Sequence, residues 1–502
     1  ECGHVECIGS REELMQKALE KFDAKDIELH RPYVDEVHLK CPECGKPMTR
    51  IPEVMDCWFD SGSMPFAQQH YPFENKEEFE EQFPADFICE GIDQTRGWFY
   101  SLLAISTFIT GKAPYRNVLV TDLILDKNGK KMSKSKGNTV DPFMMFDKYG
   151  ADVIRWYLLY GSPAWTPTRF DEDGVKELQS KYFGTLRNVY NFFILYSNHD
   201  GINAADIDTA PADRPELDRW IISRFNSLVK EVTADMDNYE HMKTVRAITD
   251  FVAEDLSNWY IRRARRRFYD SSMTDDKKAV YRTTYEMLTG VALLSAPFAP
   301  FLSDEIYTKL TGAHSVHLAD YPECDESLID DDLEKRMDLV RTIAGLGRGE
   351  REKENLKVRQ PLEEIIVDGK YESEIGDMTD LIKEEINVKN VVFEKNMDSF
   401  MNYSLKPDFR AAGPVLGKNI KEFGKKLAGA DAKEIITKLS ADHSIKMELG
   451  GEETEIPEEF IDVRISARDG FAVGSAGSVF VILETALTPE LVAEGLAREM
   501  VS

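Results

Sequence analysis

KMSKSKGN, residues 131–138, is the segment that most strongly constrains the fold of this sequence. Two apolar runs before it, 118–120 and 123–125, predict extended chain. An Asp-Lys-Asn-Gly run at 126–129 predicts a turn, because Asn-Gly readily adopts positive φ angles. A loop in this position presents ammonium groups and hydroxyls beyond the end of a strand. That chemistry suits a polyphosphate whose charge must be stabilised while a leaving group departs.

The candidate catalytic residues of this loop are Lys131, Ser133, Lys134 and Ser135. An ordinary solvated loop of lysine and serine is the alternative interpretation. Two observations favour the catalytic one: the motif continues through Gly and Asn to residue 138, and it follows a predicted strand and turn.

The region around the loop, residues 84–165, alternates short apolar runs with helical stretches, as is typical of a parallel sheet. Residues 87–89 predict a strand and residues 94–109 a helix, and Glu90 and Asp93 lie where the two meet. Ligands of such sheets bind outside the carboxyl ends of the strands. Both acids are therefore expected in a crevice, where carboxylates can hold ribose hydroxyls and a substrate ammonium. For Asp93 alone, the alternative is an acid that complements a helix dipole.

Two cysteines, Cys41 and Cys44, flank a Pro-Glu pair and precede a glycine, a spacing that predicts one knuckle of a zinc ribbon. A tetrahedral site needs a second knuckle, and Cys2 followed by glycine resembles half of one. Cys7 or His4 is the alternative for the missing ligand, and a surface turn with free thiols is the alternative to any metal site. Seven cysteines in a chain of 502 residues do not suggest a disulfide framework; they indicate a reducing compartment, the cytoplasm.

Downstream, the apolar periodicity becomes helical from about 175 to 312 and predicts an antiparallel helix bundle. A mixed, highly charged region follows at 320–502, with predicted strands at 364–367, 391–393 and 479–483. The predicted fold class is therefore α/β plus all-α, with a further α/β region at the end.

The net charge of −28 argues against nucleic acid, whose phosphates are bound by lysine and arginine. Residues 258–269 are a local exception, because five of six consecutive positions there are arginine. Arginines this dense cannot all face one side of a helix, so we expect them to be solvated or to contact a polyanion. These candidate RNA-binding residues are Arg262, Arg263, Arg265, Arg266 and Arg267.

No run of eighteen apolar residues is present, so the sequence predicts no membrane span. The first residues lack the charged start and the apolar stretch of a signal peptide. The chain begins without methionine and ends inside an apparent helix. We therefore expect it to be part of a longer protein.

The 131–135 motif resembles the ATP-binding signature of the class I aminoacyl-tRNA synthetases. The segment Gly-Ile-Asp-Gln-Thr-Arg-Gly-Trp at 91–98 resembles the corresponding sequence of their isoleucyl branch, of the archaeal and eukaryotic-like type. The segment 56–65 and the Asn-Trp-Tyr-x-Arg-Arg segment at 258–263 are similar to the same branch. The resemblance rests on specific motifs to about residue 365 and is looser beyond.

This resemblance implies that Lys134 contacts ATP and that its loop closes on the pyrophosphate. It implies that Trp58 and Trp98 face a branched aliphatic side chain, since flat apolar walls suit such a ligand. Buried core tryptophans are the alternative. The residues it assigns to isoleucyl-adenylate are Glu90, Asp93, Gln94, Trp58 and Trp98.

The resemblance also implies a domain order. The expected parts are a zinc-ribbon-like module at 1–45, the C-terminal half of a Rossmann-like class I catalytic domain at 46–175, an anticodon-binding helix bundle at 176–320, and a tRNA-associated α/β region at 321–502. Neither the His-x-Gly-His motif of the family nor its editing insertion occurs in this sequence. We expect both upstream, and this chain alone to be inactive.

The implied activity is ATP-dependent attachment of isoleucine to tRNA(Ile), with Mg²⁺ accompanying ATP and with an incomplete structural Zn²⁺ site at Cys2, Cys41 and Cys44. The expected protein is a monomer in the cytoplasm. One alternative is a non-catalytic RNA-binding relative. Another is a valyl-type enzyme, which the residues Asp93-Gln94 and Gly97-Trp98 disfavour.

Overall fold

The structure is a computed structural model that describes residues 2–500. It divides into two compact units, one of residues up to 179 together with 235–246, and the other of 180–234 together with the chain from 247 onward. The expected division into four parts is finer than these two units and stays a prediction.

The first unit begins with short helices and a small hairpin and continues as a helix-and-strand layer. Its elements are α1 (Arg11–Lys17), β1 (Leu39–Lys40), β2 (Pro47–Met48), α2 (Cys57–Gly62), α3 (Met64–Ala67), α4 (Lys76–Gln82), β3 (Ala85–Gly91), α5 (Trp98–Thr110), β4 (Tyr115–Thr121), β5 (Ile124–Leu125), α6 (Pro142–Tyr149), α7 (Ala151–Gly161), β6 (Thr168–Arg169) and α8 (Glu172–Leu178).

Strands β3 and β4 are parallel neighbours in this unit, as the sequence predicted. Their register places Glu90 opposite Val120 and Gly91 opposite Thr121. Helix α5 makes the crossover that a parallel pair requires. The carboxyl ends of both strands consequently lie side by side, at the edge where doubly wound sheets bind their ligands.

Helix α2 packs closely against α5, and a glycine allows the approach. A Cβ atom at Gly62 would lie 2.8 Å from the backbone carbon of Ser101, closer than real Cβ atoms approach. Any side chain at position 62 would therefore push the two helices apart. The contact brings the 56–65 segment against the start of α5, which follows the Glu90–Asp93 turn.

The predicted helix at 94–109 begins four residues later than expected, at Trp98. Residues Ile92–Arg96 form a 3-10 turn instead, and Gly97 has φ −142° and ψ −114°, outside helical geometry. A glycine at the boundary allows this break at little cost in conformational free energy, because it has no Cβ to restrict the backbone.

The second unit starts as a helix bundle and ends in mixed structure. Its elements are a π-helical turn (Gln179–Gly184, whose first residue belongs to the first unit), α9 (Thr185–Asp200), α10 (Glu216–Asp237, whose last three residues belong to the first unit), α11 (His241–Asp250, whose first six residues belong to the first unit), a π-helical segment (Phe251–Ile261), α12 (Arg262–Tyr269), α13 (Asp275–Ser295), α14 (Pro300–Thr311), α15 (Asp331–Lys353), β7 (Leu362–Asp368), α16 (Glu372–Ile375), α17 (Thr379–Ile386), β8 (Val388–Glu394), β9 (Met401–Pro407), α18 (Phe409–Leu416), α19 (Ile420–Ala428), α20 (Ala432–Asp442), β10 (Ser444–Leu449), β11 (Glu452–Pro457), β12 (Ile461–Ala467), β13 (Phe471–Ala476), β14 (Val479–Glu484) and α21 (Pro489–Met500).

The bundle core is packed with large side chains. Trp220, Tyr260 and Tyr281 are each fully excluded from solvent. The hydroxyl of Tyr260 donates to Asp218 Oδ1 at 2.8 Å, so the buried phenol keeps a hydrogen-bond partner. The helical periodicity at 175–312 is confirmed as an all-α region.

Beyond the bundle, four strands form a sheet in the order β13-β14-β7-β8. The predicted strands at 364–367, 391–393 and 479–483 are confirmed as β7, β8 and β14. A smaller subdomain, residues 401–467, pairs β9 with β12 and β10 with β11 and has its own apolar core. Among residues 2–500, no helix has both the length and the hydropathy of a membrane span.

Candidate active site

The 131–135 loop is held by a polar residue just beyond it. Asn138 accepts a hydrogen bond from the Ser133 N–H at 2.9 Å and donates to Asp126 Oδ2 at 2.8 Å and to the Lys131 carbonyl at 3.3 Å. One side chain thus ties both ends of the loop to the turn that follows β5. The hydrogen bond from Asn138 is also the main cause of a lowered pKa at Asp126, which keeps this anchor ionised.

The lysines of this loop are available to a ligand. Lys131, Lys134 and Lys136 are exposed, and within residues 2–500 none of them forms an ion pair with an acid. The Ser133 and Ser135 hydroxyls lie 3.2 Å apart. Two hydroxyls and several unpaired ammonium groups beyond the end of a strand are donors suited to an anionic oxygen cluster.

The acids predicted for the crevice lie where β3 ends. Glu90 and Asp93 are exposed, and the Gln94 amide donates to Asp93 Oδ2 at 3.1 Å. The Gln94 side-chain oxygen accepts from the Trp98 N–H at 2.9 Å and so satisfies one free donor at the start of α5. The Thr121 hydroxyl donates to the Glu90 carbonyl at 3.2 Å, which joins the ends of β3 and β4. The carboxylates therefore point into solvent from a fixed backbone.

Trp58 and Trp98 come from different segments and meet at the start of α5. The Trp98 indole N–H donates to the Ser61 carbonyl at 3.1 Å. A Cβ on Gly97 would lie 3.1 Å from the Trp58 ring, so this ring packs directly against the backbone of Gly97. Trp58 remains 45% exposed and Trp98 is half-buried. The alternative of buried core tryptophans is therefore wrong.

The three predicted zinc ligands come together. The sulfurs of Cys2, Cys41 and Cys44 all lie within 4.8 Å of one another, and Cys2 Sγ is 3.6 Å from Cys41 and 3.5 Å from Cys44. Zn–S bonds of about 2.3 Å imply S–S distances of about 3.8 Å in a tetrahedron. The backbone N–H of Cys44 is the main reason that the pKa of Cys41 falls to about 7. This donor set fits a zinc ion with one position left.

Neither alternative fourth ligand joins that cluster. His4 Nδ1 lies 3.3 Å from Glu43 Oε1, and its Nε2 is buried without a hydrogen-bond partner. Cys7 is exposed and, with His4, lines an apolar groove of about 770 Å³ next to the cysteines. The suggestion that one of these two completes the site is not supported by this arrangement.

The arginine strip differs from its prediction. We expected all five arginines to be solvated or to contact a polyanion, and for Arg263 and Arg267 this is wrong, because their side chains are only 7% and 15% exposed, whereas Arg262 is exposed but paired with an acid. Arg267 forms two hydrogen bonds with fully buried Asp218, at 2.6 and 2.7 Å. Arg262 and Arg263 both donate to Glu385, at 2.6 and 2.7 Å. Charge repulsion along the helix is relieved by acids distant in sequence rather than by phosphate.

Arg265 and Arg266 keep the predicted exposure. The Arg265 guanidinium lies 5.8 Å from the centroid of the Phe192 ring, and Arg266 extends from the same helix. Within the described residues neither forms an ion pair with an acid. They are the two members of the strip that remain available to a phosphate.

A groove of about 760 Å³ beside the strip contains further arginines that are already paired. Arg341 donates to Asp255 at 2.7 Å, and Arg348 donates to Glu385 at 2.9 Å. Glu385, whose side chain is 2% exposed, therefore receives three guanidinium groups. Nothing in the sequence singles out this acid, because its place beside an isoleucine in α17 gives no signal.

Comparison with known protein families agrees with this geometry. Residues 1–171 match the family model of tRNA synthetases class I (I, L, M and V). Residues 218–366 match the model of the anticodon-binding domain of tRNA ligases. The first match covers the cysteine cluster and the whole strand-end site, and the second covers the arginine strip.

Curated relatives match along the whole chain. An isoleucine–tRNA ligase of Clostridium novyi (strain NT) is 46% identical over 510 residues, covering 100% of this chain and 49% of that protein. An isoleucine–tRNA ligase of Bacillus thuringiensis (strain Al Hakam) is 46% identical over 489 residues, covering 97% of this chain and 47% of that protein. The chain thus spans about half the length of the curated relatives it matches.

Proposed function

This chain belongs to the class I tRNA synthetases, and on that premise we propose that it carries the phosphate-binding and tRNA-binding parts of an isoleucine–tRNA ligase. One observation supports the proposal most directly. The Glu90–Asp93 turn and the 131–135 loop each follow the carboxyl end of a strand in a parallel pair, β3 beside β4 and β5 beside β6. Acids for an aminoacyl group and cations for phosphates both lie beyond the carboxyl ends of parallel strands, where doubly wound sheets bind their ligands.

The proposed reaction has two steps. The isoleucine carboxylate attacks the α-phosphate of ATP, and pyrophosphate leaves with the electron pair of the broken P–O bond. The aminoacyl group then passes from AMP to a hydroxyl of the terminal tRNA ribose. Lys131 and Lys134, with the hydroxyls of Ser133 and Ser135, stabilise the charge that develops on the pyrophosphate, which Mg²⁺ accompanies. No covalent bond to the protein is needed, because positioning and charge stabilisation suffice.

The amino acid and the adenylate are assigned to the strand-end residues. Glu90 and Asp93 accept hydrogen bonds from the ribose and from the substrate ammonium, and Gln94 orients Asp93. Trp58 and Trp98 provide flat apolar surface for the aliphatic side chain. Isoleucine and valine differ by one methylene, which a pocket of this kind distinguishes by only roughly 150-fold, a figure that comes from isoleucyl enzymes themselves.

The cysteine cluster is proposed to hold a structural zinc ion. Cys2, Cys41 and Cys44 would be its ligands, and the ion would cross-link the start of the chain to the hairpin of β1 and β2. All seven cysteines are free thiols, in keeping with a reducing cytoplasm. We expect zinc content of the purified chain to fall when Cys41→Ser is introduced and to stay unchanged with Cys57→Ser; equal content in both variants would remove the proposal.

The tRNA is assigned to the bundle through Arg265 and Arg266, the strip members without acidic partners. Arg262, Arg263 and Arg267 contribute to this surface by fixing the helix rather than by contacting phosphate. The remaining proposals are that the protein is a monomer and lacks a membrane partner.

Isoleucine-dependent exchange of pyrophosphate into ATP tests the activity. It is measured on this chain alone and on this chain joined to the part of a curated relative that it does not match. We expect no exchange from the chain alone, and exchange with isoleucine, more weakly with valine, from the joined protein.

Exchange driven by valine or leucine but not by isoleucine would replace the isoleucyl assignment with the valyl-type alternative. A joined protein that binds tRNA without any exchange would favour the non-catalytic alternative. Reloading of the joined protein with zinc before the assay removes metal loss as a cause.

A further inference from the structure

Asn138 uses both ends of its side-chain amide within the chain. Its oxygen accepts from the Ser133 N–H at 2.9 Å, and its nitrogen donates to Asp126 Oδ2 at 2.8 Å and to the Lys131 carbonyl at 3.3 Å. No step of the proposed reaction has been assigned to this residue. A half-buried amide that makes three hydrogen bonds at the base of a loop of exposed cations points to control of the loop's geometry.

Asp126 gives Asn138 a fixed partner. Its other oxygen, Oδ1, accepts from the backbone N–H groups of Asn128 at 3.0 Å and Lys130 at 2.9 Å. The Asp126 N–H donates to the Lys130 carbonyl at 2.9 Å, and Asp126 directly follows β5. The carboxylate is therefore oriented by the turn and by the strand, so that Asn138 is tied to the sheet.

The segment between Ser133 and Asn138 carries two of the loop's cations. Gly137 has φ +64°, in the left-handed region, and it reverses the chain after the 3-10 turn of Lys134–Lys136. This reversal returns the backbone to Asn138, which then holds the Ser133 N–H. The lysines at the two ends of that turn form no ion pair within residues 2–500. Their ammonium groups can therefore move while the backbone that carries them is held.

Holding the backbone matters for charge stabilisation at a departing group. Donors that are already in place when negative charge develops need no reorganisation at that moment. An error of about 1 Å in their position costs up to about 100-fold in rate. Loss of the Asn138 hydrogen bonds should therefore affect the chemical step, in which the charge develops, more than the binding of ATP, in which it has not yet developed.

We propose that Asn138 is a positioning residue for the step that releases pyrophosphate, and that it forms with Asp126 a latch that holds the 131–135 loop in its working geometry. The Asp126–Asn138 latch acts through Lys131 and Lys134 and does not itself contact ATP. It sets how fast pyrophosphate leaves rather than how tightly ATP binds. This inference rests on the proposed function, because pyrophosphate is the leaving group of that reaction.

The first test needs no catalytic activity and uses the full chain. Amide hydrogen–deuterium exchange is followed by mass spectrometry on peptides that cover residues 131–138. Asn138→Ala removes the acceptor of the Ser133 N–H, and the loss of one such hydrogen bond corresponds to roughly 5-fold or more faster hydrogen exchange there. Peptides from the helix bundle should exchange as they do in the unmodified chain.

The second test uses the joined protein and isoleucine-dependent pyrophosphate exchange. Asn138→Ala is expected to lower kcat by roughly 10–100-fold and to leave KM for ATP within about 3-fold. A role in stability alone would lower the urea midpoint of unfolding and leave kcat of the folded protein unchanged. The split between kcat and KM is therefore the informative readout.

Exchanging the two side chains of the latch tests their contact directly. Asn138→Asp alone sets two carboxylates against each other, and Asp126→Asn alone leaves two N–H donors facing each other. In the double variant the new amide donates to the new carboxylate, which still accepts from the Ser133 N–H. We expect each single change to lower kcat by roughly 10-fold or more, and the double variant to recover to within about 5-fold of the unmodified protein.

Asn128 provides the matched control for these variants. It lies in the same turn, and its exposed side chain forms no hydrogen bond with the residues that the structure describes. Asn128→Asp makes the same change of charge as Asn138→Asp, ten residues away. It is expected to keep both kcat and the hydrogen exchange of the loop within about 2-fold of the unmodified protein.

The outcomes separate this inference from the proposed function. Faster hydrogen exchange in Asn138→Ala with an unchanged kcat overturns the positioning role and leaves the proposed function standing. The same conclusion follows if the loop exchanges no faster, if the double variant is as slow as the single ones, or if Asn128→Asp is equally slow. An unmodified joined protein that shows no pyrophosphate exchange with isoleucine overturns the proposed function, and the positioning role with it.

Discussion

The 131–136 loop and the 262–267 helix are both dense in positive charge, yet they use it differently. In the loop, Lys131, Lys134 and Lys136 have no acidic partner within residues 2–500. In the helix, Arg262, Arg263 and Arg267 are neutralised by acids of the same chain. A run of cations in a sequence therefore does not tell whether the charge serves a ligand or the fold; the acids that surround it decide.

The difference has a physical origin in burial. A charge that leaves water needs a partner, because an isolated buried ion is very costly. The helix lies on the bundle core, and Arg263 and Arg267 are pulled inward with it, so Glu385 and Asp218 must accompany them. The lysines of the loop are exposed, and their ammonium groups remain hydrated without acidic partners in residues 2–500.

The largest effect expected from this comparison is on stability. Arg267→Ala leaves Asp218, which is fully buried, without its counter-ion. We expect the free energy of unfolding to fall by about 3–5 kcal/mol, measured by urea denaturation. Arg266→Ala, one position away on the exposed face, should change it by no more than about 0.5 kcal/mol. Similar losses in both variants would mean that the two arginines are equivalent and that the comparison fails.

The next largest effect is on catalysis without a change in stability. Lys134→Ala in the joined protein should reduce pyrophosphate exchange by about 10²–10³-fold, because one charge-stabilising donor is lost. Its unfolding curve should not move. Lys127→Ala, an exposed lysine in the turn before the loop, is the control and should retain exchange within a few-fold. A shifted unfolding curve for Lys134→Ala would show that the loop lysine serves the fold after all.

A smaller effect is expected on the pH dependence of stability, through Asp200 in the helix bundle. Burial alone would raise the pKa of Asp200, but hydrogen bonds from Lys277, Tyr281 and His199 outweigh it and lower that pKa to about 2. Because the unfolded value is about 3.9, the ionised group stabilises the fold above about pH 4, and this contribution is lost as the pH falls towards 2.

Asp200→Asn should accordingly be about 2 kcal/mol less stable than the unmodified chain at pH 6, with the difference closing near pH 2. Denaturant unfolding at both pH values measures it. A difference that is the same at both pH values would mean that the charge of Asp200 contributes nothing.

The smallest expected effect is on tRNA affinity. Arg265→Ala with Arg266→Ala should weaken binding by about 5-fold at moderate salt and lower the salt slope by up to about 2, since two phosphate contacts are lost. The free energy of unfolding should stay constant. A loss of stability with unchanged affinity would place these two arginines with their paired neighbours.

Local sequence patterns were sufficient for many of the elements and for the position of Glu90 near the end of β3. Runs of β-branched residues at 364–367 and 479–483 predicted strands that are confirmed, because such residues fit a pleated, buried surface. The Cys-x-x-Cys spacing and the glycine after Cys2 predicted three thiols that do meet. These are short-range rules, in which the residues that decide the outcome are close together in the chain.

Ion pairs between residues distant in the sequence could not be predicted from such local patterns. The acid that neutralises Arg267 is 49 residues away, and the one that neutralises Arg263 is 122 residues away. Spacing on a helix shows that Arg263 and Arg267 share a face, but not that this face is turned towards the core. The role of Asn138, which directly follows Gly137 at the end of the loop, was also missed, because its hydrogen bond to Asp126 joins residues twelve positions apart.

The three ion pairs of Glu385 have a consequence for point mutations at this position. One nucleotide change converts a glutamate codon to lysine, and at this position it would replace the anion shared by three arginines with a fourth cation. A chain encoded by such an allele should unfold at a lower temperature, and a second change at Arg262 or Arg348 should restore part of its stability, because loss of a cation relieves the repulsion.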